Sequence, residues 1–271
     1  RSFPLNIDLQ YRSHRSFSRD TLSRADVAIH TGSYDNALWL EEHLNPDQLF
    51  IFYGSGVNPF IVGRHADITK AVRSSLENRL FNSGQDCYCS NIFFVHENVF
   101  DRYLDELGKQ LSRVVVGDRT EPGAIVNPLY YNLEDDLLDF IGSHSSQIVC
   151  GGRIDFSRKF VEPTVVVNGS NDPIANIEFF APVFYIIKYS KPEEILTFLN
   201  QPVASQHSLV ANVFGDENLA DKLSQNHMVA RDCNILDIED GNLPFGGYGI
   251  RANHVYRAGS RIARPLLVSK E

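Results

Sequence analysis

The run Phe81-Asn82-Ser83-Gly84-Gln85-Asp86-Cys87 is where this chain concentrates groups able to do chemistry. A helical pattern ends there, Gly84 permits a sharp turn, and a cysteine comes directly after. A thiol presented on such a turn can act as a nucleophile if its pKa is lowered and substrate can reach it. The opposing reading is a packed thiol, because cysteine is among the most buried residue types. Cys89, Cys150 and Cys233 are read in that second way, as core thiols. Cys87 and Cys89 form a C-x-C pair, but no second pair completes a structural zinc spacing. His96-Glu97 opens a zincin-like string with no His four residues after His96. No metal is expected. Gly54-Ser55-Gly56 is only G-x-G and falls short of a dinucleotide fingerprint.

Composition sets the frame for that chemistry. With 43% hydrophobic and 22% charged residues, a chain of 271 residues can bury a core of its own. A net charge of −9 argues against a broad nucleic-acid surface, which needs an excess of Lys and Arg. Arg1, Arg12, Arg15, Arg19 and Arg24 cluster among serines and are expected to form a solvated, irregular start. No apolar run is long enough to cross a bilayer, and Arg1 begins no signal segment, so no membrane association is expected. Four scattered cysteines do not make a disulfide framework, and a cytoplasmic location is the simplest expectation.

The elements that must position Cys87 are legible as alternating patterns. Ile68, Ala71, Val72, Leu76 and Leu80 form the stripe of a helix over 67–80, with Asp67 as its N-cap. A buried strand is expected at 92–95, then a helix capped by Asn98, then a strand at 114–116. Downstream come a helix over 134–142 and strands at 147–149, 165–167 and 183–189. Pro192 suits the first position of a helix, after which come a strand at 209–214 and a short helix at 216–225. Residues 264–269 are expected to form a terminal edge strand carrying Pro265. The alternation predicts an α/β fold with a mostly parallel sheet. A strand entered at 25–30 has no partner before it, which leaves an uncovered edge and suggests chain upstream.

Several segments, in order, carry a family resemblance. Phe81, Gly84, Gln85 and Cys87 resemble the nucleophile motif of the aldehyde dehydrogenase superfamily. His30-Thr31-Gly32-Ser33 looks like its Phe-Thr-Gly-Ser turn, and Gly56-Val57-Asn58-Pro59 like its Gly-Lys-Asn-Pro stretch. Glu162-Pro163-Thr164 resembles the start of a catalytic-domain strand. Glu178-Phe179-Phe180-Ala181-Pro182-Val183 and Pro244-Phe245-Gly246-Gly247 resemble two further signatures. The matches run from about residue 25 to 250, so the resemblance covers the carboxy-terminal half of such an enzyme.

The resemblance, and nothing else at this point, implies a division of the chain and a set of roles. Residues 1–55 would be the tail of a dinucleotide-binding domain, and 56–271 the catalytic domain with a terminal strand for subunit contact. Cys87 would be the nucleophile, and its backbone N–H one oxyanion donor. Glu178, Phe180, Thr31, Gly32 and Ser33 would contact NAD or NADP. The substrate would be an aldehyde or an acyl-thioester, and the protein a homo-oligomer. Most of the cofactor cradle is missing, so the chain is not expected to bind NAD well unaided. Two departures stand out: the family's general-base Glu falls at Tyr53, and Tyr248-Gly249-Ile250-Arg251-Ala252 replaces the usual continuation after Gly247. A tyrosine is a poor base at neutral pH, which tilts the expectation from hydrolysis towards thioester chemistry. The alternative is a non-catalytic scaffold subunit.

Overall fold

The computed structural model describes residues 8, 10, 13–131, 133, 135–169 and 172–266. The strands among them are β1 (Val27–Thr31), β2 (Leu49–Tyr53), β3 (Pro59–Val62), β4 (Ile92–His96), β5 (Ile148–Cys150), β6 (Ile154–Asp155), β7 (Phe160–Val161), β8 (Thr164–Val167), β9 (Val183–Tyr189), β10 (Val210–Phe214), β11 (Met228–Arg231), β12 (Asn253–Arg257) and β13 (Ser260–Ile262). The helices are α1 (His14–Thr21), α2 (Tyr34–Glu41), α3 (Ile68–Leu80), α4 (Phe100–Leu111), α5 (Asp135–Ser143), α6 (Pro192–Leu199), α7 (Pro202–Gln206), α8 (Glu217–Leu223) and α9 (Ile235–Ile238). None is long and apolar enough to cross a membrane.

The main sheet has seven strands in the order β11-β10-β3-β4-β9-β8-β5. All its pairings are parallel except β5 with β8, as the alternating pattern predicts. Because helices cover both faces, its central strands are apolar on both sides, which is why they lack polar alternation in sequence. Phe60, Val62, Phe93, Val95 and Phe184 point to one face, where they meet α3 and α4. Ile61, Ile92, Phe94 and Tyr185 point to the other, where they meet α5, α6 and α8. Phe214, Phe60, Phe93 and Phe184 form an aromatic ladder across four neighbouring strands, with ring centroids 5.1–5.3 Å apart. Such pairs contribute about 0.5–1.5 kcal/mol each beyond simple burial.

A second sheet runs β1-β2-β12-β13, with β1 and β2 parallel and the β12–β13 hairpin antiparallel to β2. Phe50 and Phe52 of β2 pack under α2, and Glu41 at the end of α2 is buried against the hairpin. His254 Nε2 lies 2.6 Å from Glu41 Oε1, and Arg261 Nε donates to Oε2 at 3.0 Å. The edge strand β1 leaves Val27 and Ile29 about half exposed, in keeping with the uncovered edge read from the sequence.

Four expectations need correction. Val114–Val116 is no strand; Val116 makes a single bridge to Val126, because no neighbouring run supplies a ladder. Asn98 does not cap α4: it lies in the 3-10 turn Glu97–Val99, where its N–H donates to His96 Nδ1. Within the start expected to be irregular, His14–Thr21 and Leu22–Arg24 are helical, while Arg1 and Arg12 lie outside the described residues. Residues 264–266 form no strand, and 267–269 lie outside the described residues. Arg264 turns the chain at φ +62°, and the Pro265 carbonyl accepts a hydrogen bond from Phe245 N.

Candidate functional site

The predicted site residues gather where the two sheets meet. Tyr53 and the Thr31–Ser33 turn lie at the C-terminal ends of β2 and β1. The loop 54–58 then crosses to β3, while the segments holding Cys87 and Glu178 run into the N-terminal ends of β4 and β9. Parallel strands concentrate loop ends along one edge, so segments distant in sequence converge there.

Helix α3 delivers the cysteine loop. Its cap is the predicted one: Asp67 Oδ1 accepts from Lys70 N at 3.2 Å. Beyond Leu80 the chain turns through left-handed Asn82, Ser83 and Gly84, the last with φ +80°. A Cβ on Gly84 would lie 2.5 Å from the Ala181 carbonyl oxygen, so only glycine lets the loop approach the Glu178–Pro182 segment. Gln85 is buried, and its Oε1 accepts from Tyr130 N at 2.8 Å and Tyr131 N at 3.4 Å. That contact sets Tyr131, whose ring edge faces Phe180 at 6.2 Å.

Two side chains to which the sequence reading gave no role, Asn58 and Arg79, hold this arrangement together. Asn58 is fully buried and donates through Nδ2 to the carbonyls of Cys87 at 2.6 Å and Cys89 at 3.0 Å, while Oδ1 accepts from Val210 N. Arg79 is also fully buried. Its Nη1 donates to Ser90 O and Asn91 Oδ1, and its Nη2 to the carbonyls of Phe179 and Ala181. One guanidinium thereby clamps the cysteine loop to the Glu178 segment. Burial lowers its pKa, with the Cys89 and Glu178 charges opposing that shift. The available signal was an arginine one residue before Leu80, on the stripe side of α3.

Cys87 is half-buried and packs in the apolar cluster with Tyr88, Met228 and Phe245. Its thiol is not lowered in pKa. Burial pushes it well above its ordinary value, the charges of Asp86, Glu178 and Glu239 push it further, and only its own backbone N–H pulls the other way. Among the described residues, no backbone carbonyl accepts from that N–H. Tyr53 stacks its edge on Phe245 at 4.7 Å, and burial raises its phenol above the usual value, so it holds its proton at neutral pH.

The candidate cofactor contacts fall into two groups. Glu178 and Phe180 are both half-buried, with Glu178 Oε1 3.4 Å from Gly56 N. Thr31, Gly32 and Ser33 are exposed, and Gly32 N donates to Tyr53 O at 3.0 Å. Ser33 caps α2 by accepting from Asn36 N at 3.3 Å. A carboxylate, an aromatic ring and that turn are groups that could hold the nicotinamide end of a dinucleotide.

Comparisons with known proteins show the family and the fold. The aldehyde dehydrogenase family model matches residues 47–258. The chain is 32% identical over 240 residues to aldehyde dehydrogenase family 2 member B4, mitochondrial, of Arabidopsis thaliana, covering 84% of this chain and 44% of that protein. It is 28% identical over 246 residues to an NADP(+) succinate-semialdehyde dehydrogenase of Escherichia coli K12, covering 85% and 49%. The crystal structure of an aldehyde dehydrogenase from Brucella melitensis biovar abortus 2308 matches with a TM-score of 0.75 at 23% identity, over 92% of this chain and 52% of that one. A succinate-semialdehyde dehydrogenase from Burkholderia pseudomallei gives 0.74 at 24% identity, over 94% and 53%. At those identities the structural likeness is one of fold. The chain spans about half the length of these proteins, and the family match extends over most of its own residues. It belongs to the aldehyde dehydrogenase family.

Proposed function

We propose that this chain is the catalytic half of an NAD(P)-dependent aldehyde dehydrogenase, with residues 1–55 as the tail of the dinucleotide-binding domain and 56–271 as the catalytic domain. The observation that carries the reading is the pair of clamps made by Asn58 and Arg79, which hold the Cys87 loop and the Glu178 segment at one junction beside Tyr53. Such order around a thiol is what a reaction requires and a passive surface does not.

In this reading the Cys87 thiolate adds to the carbonyl carbon of an aldehyde, and the oxygen takes the negative charge opposite the Cys87 N–H. A nicotinamide dinucleotide held there would supply the acceptor for the hydride on that carbon, and loss of the hydride would leave an acyl group on Cys87 sulfur. Glu178 would hold the ribose, Phe180 the face of the ring, and Thr31–Ser33 the phosphate side. The acyl group then leaves to a nucleophile. Tyr53 keeps its proton and cannot activate water, which favours transfer to a thiol over hydrolysis and makes acyl-thioesters candidate substrates. The cofactor is NAD or NADP; assembly as a homo-oligomer and a cytoplasmic location belong to the same proposal.

The raised thiol pKa supports a second reading, a non-catalytic scaffold subunit. Alkylation of Cys87 by limiting iodoacetamide, with peptide mass spectrometry against pH, separates the two. A thiol held above about 8.5 reacts slowly at neutral pH, and its rate climbs with pH without levelling off by about pH 9. That profile is expected for the chain alone. Adding an amino-terminal half of the family in trans is expected to bring the plateau below about pH 8.5. An unchanged profile in an assembled complex favours the scaffold.

A further inference from the structure

Against Tyr88, the residue after Cys87, lies a small pocket whose walls are aromatic and whose rim is acidic. Tyr53, Tyr88, Met228 and Phe245 line it, together with Glu239 and Asp240. Phe245 stacks on Tyr88 at 4.9 Å and takes the edge of Tyr53 at 4.7 Å. The Tyr88 hydroxyl is anchored, accepting from Gly246 N at 3.1 Å, so its ring is fixed in the wall. The pocket encloses about 100 Å³. A water requires about 10–15 Å³ of such space, so a head group of several heavy atoms fits.

The charge in this pocket is one-sided. No described Lys or Arg pairs with Glu239. Asp240 spends its Oδ1 on Asn242 N and Nδ2. Arg264, next to pocket residue Pro265, directs its guanidinium to Gly246 O and the Tyr248 hydroxyl instead. Aromatic faces carry the negative end of a quadrupole and attract cations, most strongly where water is excluded. An anionic ligand would meet two carboxylates here.

We propose that this pocket takes the cationic end of the substrate, a quaternary or protonated amine, so that the chain acts on an ammonium-bearing aldehyde. The inference rests on the reading of Cys87 as nucleophile and names the substrate class for it. It also gives Tyr53 a role: where the family has a carboxylate base, this chain has a wall of the cage. Tyr88 comes directly after Cys87, and the Glu239 charge acts on the thiol. A cation held at Glu239 removes part of that repulsion and eases thiolate formation as substrate arrives.

Binding of choline and of its neutral carbon isostere, 3,3-dimethylbutan-1-ol, to the full chain tests this by calorimetry without any turnover. Choline is expected to bind about tenfold more tightly than the isostere. Glu239→Gln is expected to weaken choline about fivefold and leave the isostere unchanged; Glu239 is at the surface, so the fold tolerates the change. Phe245→Leu is expected to weaken choline as well. Equal binding of the two probes, no binding of choline, or indifference to Glu239→Gln would overturn the proposal. Because neither cofactor nor Cys87 chemistry enters the measurement, a failed cage and a failed nucleophile give different results. An enzyme active on neutral aldehydes with no choline binding loses only the cage. A chain that binds choline but never reacts at Cys87 loses only the catalytic reading.

Discussion

Replacing Arg79 by methionine removes the clamp between the cysteine loop and the Glu178 segment while keeping most of the volume. Four acceptors lose their partner: the carbonyls of Ser90, Phe179 and Ala181, and Asn91 Oδ1. Hydrogen bonds to a charged group contribute about 1.5–3 kcal/mol each, so the gross loss is about 6–12 kcal/mol. Against this stands the cost of burying the guanidinium, several kcal/mol, which the variant no longer bears. Arg79 Nε adds to that cost, since it has no partner among the described residues. The net expectation is a loss of about 3 kcal/mol, or a fall in Tm of about 6–12 °C for a domain of this size. Urea unfolding monitored by circular dichroism gives the stability, and Cys87 alkylation reports whether the loop has loosened. A loss below about 1 kcal/mol with unchanged alkylation would refute the clamp. It would mean that desolvation of the guanidinium cancels its bonds.

Three other perturbations probe the loop, the lost base and the second sheet. Gly84→Ala places a Cβ against the Ala181 carbonyl at positive φ, so it should cost at least about 1 kcal/mol and disorder the cysteine loop; an unfolding midpoint equal to the parent's would show that the loop does not need its close approach. Tyr53→Glu should raise hydrolysis of an acyl group on Cys87, read by release of acid in the assembled protein, and no increase in a folded variant would remove the argument from the lost base. Glu41→Gln leaves His254 and Arg261 facing an amide within the α2–hairpin contact, so about 3 kcal/mol should be lost. Hydrogen exchange should then accelerate first in β12 and β13; uniform acceleration would show that the contact is not local.

The α/β class and the order of the main elements were legible because they depend on local pattern. The stripe at Ile68, Ala71 and Val72 and the Asp67 cap fix α3, and runs such as 92–95 and 183–189 have the composition of doubly covered strands. Misreadings fell where a local preference needed a partner that only the fold supplies. Val114–Val116 has strand composition but no ladder beside it. The hairpin β12–β13 went unread because its residues alternate weakly, with β13 exposed along its length.

Of the candidate site, Cys87, Glu178, Phe180 and the Thr31–Ser33 turn could be named from sequence because their motifs are short and contiguous. Their state could not. A motif carries the identity of a thiol but not its solvation, and the raised pKa of Cys87 comes from burial and from Glu178 and Glu239, 91 and 152 residues away in the chain. Arg79, an ordinary helical arginine in sequence, becomes a central tie only because β4 and β9 are neighbours in one parallel sheet. Residue types and their order dictate which groups this protein has at hand. Packing decides which of them share an environment, because desolvation and Coulomb interactions depend on distance in space and on excluded water.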